Sequence, residues 1–203
     1  WPSSNSAALS KRGGAPRDFK FPKGTTPTLV VTTRRLNLAP PAAETGVPVV
    51  SIPDIRWKRR DIKTVALLAQ VLGKQKAAEA GAFEAWQVDD DGFVTEGCSS
   101  NAWIVTGDRR LVTRQAGHEI LNGVTRLSIL KIAAEKGYAF EERPFTLSEA
   151  RGASEAFLTS ATTFVMPIVS LDGHRIGDGA PGQLSRALRQ AYLDHASGAG
   201  ATF

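Results

Sequence analysis

The sequence predicts an α+β fold, an irregular α/β arrangement, and three observations predict it. The middle of the chain reads as hairpins, with short apolar runs flanking Asp89–Gly92 and Gly107–Asp108. Amphipathic stretches at 124–136 and 183–195 have the spacing of helices. Strand-like and helix-like segments alternate, yet no clean βαβ repeat emerges.

Taken in order, residues 1–14 are rich in Ser, Gly and Ala and are expected to be poorly ordered. A strand follows at 28–34, carried by Leu29, Val30 and Val31. The three prolines within 38–48 mark a linker, and 49–52 a short strand. Residues 62–80 are expected to be a helix burying Leu67, Leu68, Val71 and Leu72, stopped by Gly81. Strands at 82–88 and 93–95 form the first hairpin, and 102–106 with 110–113 the second. The helix over 124–136 is amphipathic, with Leu127, Leu130, Ile132 and Ala134 apolar and Arg126, Lys131 and Glu135 polar, and closes at Gly137. A strand near 138–143, a short helix at 147–152, strands at 156–159 and 167–171 and a final helix across 183–195 complete the chain.

Bulk properties narrow the function classes. With 203 residues, 42% hydrophobic and 22% charged, the chain suits an ordinary soluble domain. Its longest apolar runs are too short to span a bilayer, and the opening residues do not resemble a signal sequence. The single cysteine, Cys98, excludes an internal disulfide and fits a reducing compartment, so a cytoplasmic protein is expected. Net charge is +5, but the cations are scattered apart from Arg56, Lys58, Arg59 and Arg60. No stacking aromatics interleave with them and no nucleic-acid-binding spacing is present, so no nucleic-acid partner is expected. His118, His174 and His195 stand too far apart to suggest a metal site.

Three places carry chemistry. In Asp61-Ile62-Lys63-Thr64 a lysine opens an apolar helix beside four cations, surroundings that disfavour an ammonium and favour a nucleophilic amine. A surface lysine on a first helical turn is the plainer alternative. In Thr95-Glu96-Gly97-Cys98-Ser99-Ser100-Asn101 a carboxylate ends a strand and enters a run of small polar residues, where backbone can approach a ligand and Glu96 can pair with a ligand cation. A structural turn would also use these residues. In Leu121-Asn122-Gly123-Val124-Thr125-Arg126 a glycine precedes a helix, leaving N–H groups and a hydroxyl as a phosphate cradle or a plain N-cap. Thr159-Ser160-Ala161-Thr162-Thr163 offers further hydroxyls. Cys98 lacks a nearby histidine in sequence and reads as a small buried residue.

In this order the three motifs resemble those of class IV aminotransferases, the fold-type IV pyridoxal-phosphate enzymes, and are most similar to the D-amino-acid type. The resemblance runs from about Arg17 to the last helix. It implies the family's large domain, a hairpin-rich sheet or pseudo-barrel with surrounding helices. Residues 46–203 would be the pyridoxal-phosphate-binding domain, and 1–45 a remnant of the small N-terminal domain plus linker, the chain looking truncated. Lys63 would be the Schiff-base and proton-shuttling lysine and Glu96 the partner of the pyridine nitrogen. Leu121 would lie against the ring, and Gly123, Val124 and Thr125 would hold the phosphate. Ser100, Asn101, Ser160, Ala161 and Thr162 would complete the cofactor contacts, Ala161 standing where a threonine is common. Arg17 matches the arginine that meets the substrate carboxylate, whereas Phe19 replaces a family histidine. Substrates would be an amino donor and a 2-oxo acid, and the assembly a homodimer or higher homo-oligomer. D-amino acids, branched-chain L-amino acids and (R)-amines all stay open as donors. So do an aminodeoxychorismate-lyase-like reaction and cofactor binding without turnover.

Overall fold

The computed structural model describes residues 4–11, 18–35 and 37–197. Two compact units comprise residues 1–38 and 39–203. Eleven strands and five helices are found among the described residues.

In the first unit β1 (Ser4–Lys11) pairs antiparallel with β2 (Thr28–Arg35) over all eight residues, from Ser4 opposite Arg35 to Lys11 opposite Thr28. For residues 4–11 this corrects the expectation of poor order, the rest of 1–14 lying outside the described residues. Ser, Asn and Ala are weak strand formers, but a full ladder with the β-branched β2 overrides propensity.

The second unit is built on one mixed sheet. Its strands are β3 (Val47–Pro53), β4 (Glu84–Val88), β5 (Val94–Gly97), β6 (Asn101–Val105), β7 (Leu111–Thr113), β8 (Phe140–Glu142), β9 (Glu155–Ser160), β10 (Phe164–Leu171) and β11 (His174–Arg175). They run in the order β5-β4-β3-β10-β9-β6-β7-β8, with β11 on β10. Pairs β3–β4, β3–β10 and β7–β8 are parallel and the rest antiparallel. A tight turn joins β5 to β6, with Gly97 N–H donating to the Ser100 carbonyl at 2.7 Å. That turn draws the ends of the six-strand path β5-β4-β3-β10-β9-β6 together, so the sheet curls into a half-barrel.

Both sheet faces are covered, which explains the continuous burial of β4, β6 and β7. Ala102 and Ile104 point into the inner core with Trp86, Phe145 and Met166. Their neighbours Trp103 and Val105 point the other way, into a layer roofed by α3 (Val124–Glu135) and α5 (Gln183–Ala196). There Trp103 stacks on Phe157 with ring centroids 5.4 Å apart and donates its indole N–H to Thr159 Oγ1 at 3.0 Å. The short α4 (Leu147–Arg151) is capped by the Thr146 hydroxyl, which accepts the Glu149 N–H at 3.1 Å.

Three expectations need correction. The proline-rich 38–48 segment is no plain linker: Pro41 opens α1 (Pro41–Thr45), Gly46 takes φ 74°, and β3 already begins at Val47. The helix expected over 62–80 is α2 (Leu68–Glu79), so Lys63 sits on a loop before the helix. Asp61, the natural cap, is engaged by Arg59 at 2.9 and 2.8 Å, and the Thr64 hydroxyl makes a local turn by accepting the Ala66 N–H at 3.2 Å. Leu67, Leu68, Val71 and Leu72 are exposed by about half or more, because α2 docks through its smallest residues, Gly73 and Ala77. A Cβ on Gly73 would stand 2.4 Å from Cys98 Sγ and 2.6 Å from Ile52 Cδ1. Within α3, Val124 and Leu127 likewise face outward. The β10–β11 hairpin was not anticipated, although Asp172-Gly173, both at positive φ, is a strong two-residue turn signal. No described helix is long and apolar enough to cross a membrane.

Helix α5 is pinned to the sheet by one carboxylate. Glu155 on β9 accepts the N–H groups of Leu184 at 2.9 Å and Ser185 at 2.8 Å. Glu155→Ala is expected to lower the unfolding free energy by about 1–2 kcal/mol, read as an earlier midpoint in urea. An unchanged midpoint would count against this anchor.

Candidate active site

The site grows from the segment that leaves β3. Asp54 N–H donates to the Val88 carbonyl at 2.8 Å, fixing where the chain departs the sheet. The Asp54 carboxylate accepts Arg56 Nε at 2.9 Å and Nη2 at 2.7 Å, and the Thr95 hydroxyl at 2.8 Å. Arg60 Nε lies 3.1 Å from the same carboxylate. Arg56 reaches across to Glu96 at the end of β5 in a short ion pair. Both side chains of that pair are about 95% buried.

Burial and bonding compete at these two carboxyls. Burial raises Asp54, but the hydrogen bonds and charge of Arg56, with the Thr95 hydroxyl, outweigh it and hold the group below the ordinary carboxylate range. At Glu96 burial wins, pushing the carboxyl up to about 7 against the Arg56 charge and hydrogen bond and the Leu121 N–H. Glu96 Oε2 accepts Asn101 Nδ2 and the Leu121 N–H, each at 3.1 Å. Asn101 also donates to the Leu121 carbonyl at 2.8 Å, so one amide ties β6 to Glu96 and to the approach of α3.

Two anion-seeking features lie near this carboxyl. The N-terminus of α3 is capped by Gly123 with no side-chain acceptor, so its first N–H groups are not taken by a cap. A Cβ on Gly123 would stand 2.4 Å from Asn101 Oδ1, so the close approach requires glycine. In the turn between β9 and β10, Ser160 Oγ accepts the N–H groups of Thr162 at 3.3 Å and Thr163 at 3.1 Å. It also lies 2.7 Å from Thr163 Oγ1.

A cavity of about 840 Å³ is lined by Lys63, Glu96, Ser100, Asn101, Leu121, Gly123, Val124, Thr125, Ser160, Ala161 and Thr162, together with Arg56, Arg60 and Cys98. All the sequence-derived cofactor residues therefore share one space, and Lys63 is exposed at it. Arg17 lies outside the described residues. The cation cluster is not the free positive field expected around Lys63: Arg56 and Arg60 share Asp54, and Arg59 pairs with Asp61. Ser100 lines the cavity, yet its hydroxyl donates to buried Glu84 at 3.1 Å. Sequence reasoning missed Asp54, Arg56 and Glu84 as organisers of the site. An Asp-x-Arg pair just past a strand was the available signal for the first two. Cys98 is buried, and burial with the Glu84 charge pushes its thiol up to about 12, consistent with a packing role. No group of three or more potential metal ligands gathers among the described residues.

The sequence model of the amino-transferase class IV family matches residues 5–171. The chain is 41% identical over 180 residues to D-alanine aminotransferase of Bacillus licheniformis, covering 89% of this chain and 63% of that protein. It is 38% identical over 182 residues to D-alanine aminotransferase of Staphylococcus aureus strain MSSA476, covering 89% and 64%. In structure it is similar to the branched-chain amino acid aminotransferase of Thermobaculum terrenum in its PLP form, with a TM-score of 0.82 and 27% identity over 96% of this chain and 64% of that one. The chain thus spans just under two thirds of the length of these relatives.

The raised Glu96 carboxyl has a thermodynamic consequence. Its folded value near 7 exceeds the ordinary value of 4.5, so between these pH values the folded protein binds more protons than the unfolded chain. The contribution is fully present below about pH 4.5 and is lost as pH rises through 7. Glu96→Gln is therefore expected to gain stability relative to wild type between pH 5 and pH 8, in urea unfolding without cofactor. A difference that stays constant across that window would contradict it.

Proposed function

Because this chain belongs to the class IV aminotransferases, we propose that it holds pyridoxal 5′-phosphate and transfers an amino group between a D-amino acid and a 2-oxo acid. The reading rests on one observation above all. A lysine, a buried carboxyl poised near neutrality and an uncapped helix N-terminus face a single cavity. Its size suits a cofactor with a small substrate.

The residues present fit that group. The α3 N-terminus with Gly123, Val124 and Thr125, joined by Ser160 and Thr162, would hold the phosphate through N–H groups and hydroxyls. Ala161 would contribute backbone there, and Leu121 would bound the ring. Glu96 would hold a proton on the ring nitrogen, and Ser100 and Asn101 would flank it. When bound, the cofactor supplies an electron-accepting ring for the charge released at the substrate α-carbon. The chain's own work would be positional and acid–base: Lys63 Nζ would anchor the cofactor and carry the α-proton. Arg56 keeps Glu96 in place, and an Arg17 supplied by a neighbouring subunit would meet the substrate carboxylate. Residues 46–203 form the cofactor domain in this reading. Exposed Val65 and Leu68 support a homodimer or higher homo-oligomer. The D-amino-acid preference rests on the Bacillus and Staphylococcus relatives.

Purified protein with pyridoxal phosphate is expected to show a visible band that borohydride removes, and to form a new D-amino acid from D-alanine only when a 2-oxo acid is supplied. D-alanine should serve as donor ahead of L-leucine. Lys63→Ala should lose the band and at least about 10²–10⁴ of the rate. Turnover without a 2-oxo acid would point to lyase chemistry, and full activity in Lys63→Ala would overturn the reading.

A further inference from the structure

Glu84 on β4 is a second buried carboxylate beneath the cavity wall, 1% exposed, with no part in the scheme above. Its Oε2 accepts the Ser99 hydroxyl at 2.9 Å, the Ser99 N–H at 3.3 Å and the Ser100 hydroxyl at 3.1 Å. Its Oε1 accepts the Ala85 N–H at 3.0 Å and lies 3.3 Å from Lys74 Nζ. The Lys74 side chain is 40% exposed, so that pair alone gives little reason for burying a carboxylate. Three of the five donors come instead from the turn between β5 and β6.

That turn begins directly after Glu96 and ends at Asn101, and those two side chains are hydrogen-bonded to each other. We propose that Glu84 is a positioning residue, whose carboxylate clamps Ser99 and Ser100 so that the turn presents Glu96 and Asn101 together to the cavity. The inference rests on reading this cavity as the cofactor site.

Three further details agree. Gly97 opens the turn, and a Cβ there would stand 2.2 Å from Ser100 Oγ and 3.1 Å from Glu84 Cγ, so a side chain would block the serine from the carboxylate. Gln87, also on β4, donates to the Gly97 carbonyl at 3.3 Å, giving the turn a second hold from the same strand. A hydroxyl has a single proton to donate, and both serines direct theirs to Glu84. Both hydroxyl protons of the turn are therefore taken by Glu84.

The test compares Glu84→Gln, the double variant Ser99→Ala/Ser100→Ala, and the triple variant, each in the full chain. Amide exchange is followed without cofactor, and the pyridoxal phosphate dissociation constant is measured by equilibrium dialysis. Glu84→Gln should speed exchange at 97–101 and weaken cofactor binding, each roughly tenfold, with α5 and β9 unaffected. The triple variant should be no worse than either parent, because carboxylate and serines act as one unit. Unchanged exchange in the turn, acceleration spread over the whole chain, or additive effects in the triple variant would each overturn the proposal. If Glu84→Gln does not fold, the serine variant carries the same exchange and binding comparison. If wild type itself binds no pyridoxal phosphate, the functional reading fails, while exchange at 97–101 still decides the role of Glu84.

Discussion

The cavity depends on one buried guanidinium. Arg56 joins the segment leaving β3 to the end of β5 by bridging Asp54 and Glu96, and Glu96 in turn holds the approach to α3 through the Leu121 N–H. Three stretches far apart in sequence thus meet at one planar, permanently charged group. Burying such ions is unfavourable unless each is paired and hydrogen-bonded; at Asp54 the bonds outweigh burial, while at Glu96 burial outweighs them. That imbalance leaves Glu96 near neutrality, where a carboxyl can respond to a basic nitrogen placed against it.

Most elements were legible in the sequence because local chemistry agreed with tertiary packing. The hairpin at Asp89–Gly92, the helix from Val124 and the last helix fall close to their expected places. The failures share a cause. Residues 62–67 carry an apolar, helix-like pattern, but Arg59 occupies Asp61 and Thr64 bonds locally, so the helix starts at Leu68. Apolar periodicity also assigned α2 the wrong face, since Gly73 and Ala77 permit closer approach than leucine could. Periodicity reports that a helix has an apolar side, and not what covers that side. Strand β1 was illegible for the opposite reason: nothing in Ser-Asn-Ser-Ala-Ala signals a strand until β2 is beside it.

At the site, the three motifs reached one cavity, and the sequence sufficed for that because each carries its own local geometry. What it could not reveal was the direction of each polar group. Ser99 and Ser100 read as ligand donors but are engaged by Glu84, fifteen and sixteen residues earlier. The four cations before Lys63 read as a positive field, but three are matched by carboxylates, one of which, Asp54, precedes them in the chain. The Arg56–Asp54 and Arg59–Asp61 pairs are local and could have been read from the sequence, whereas Arg56–Glu96 and Glu84 with its two serines depend on how the strands come together.

The parallel pairing of β3 with β10 also governs when the site can exist at all. Ser51 donates its N–H to Asp172 at 2.6 Å and its hydroxyl at 2.8 Å, across 121 residues of chain. Closing so long a loop is entropically slow, and a ribosome needs on the order of ten seconds to make that stretch. Until β10 emerges, β3 keeps an open edge and the lysine loop has only one flank in place. Assembly of the cavity thus waits on a long-range pairing, and until that pairing forms the open edge of β3 is exposed to mispairing.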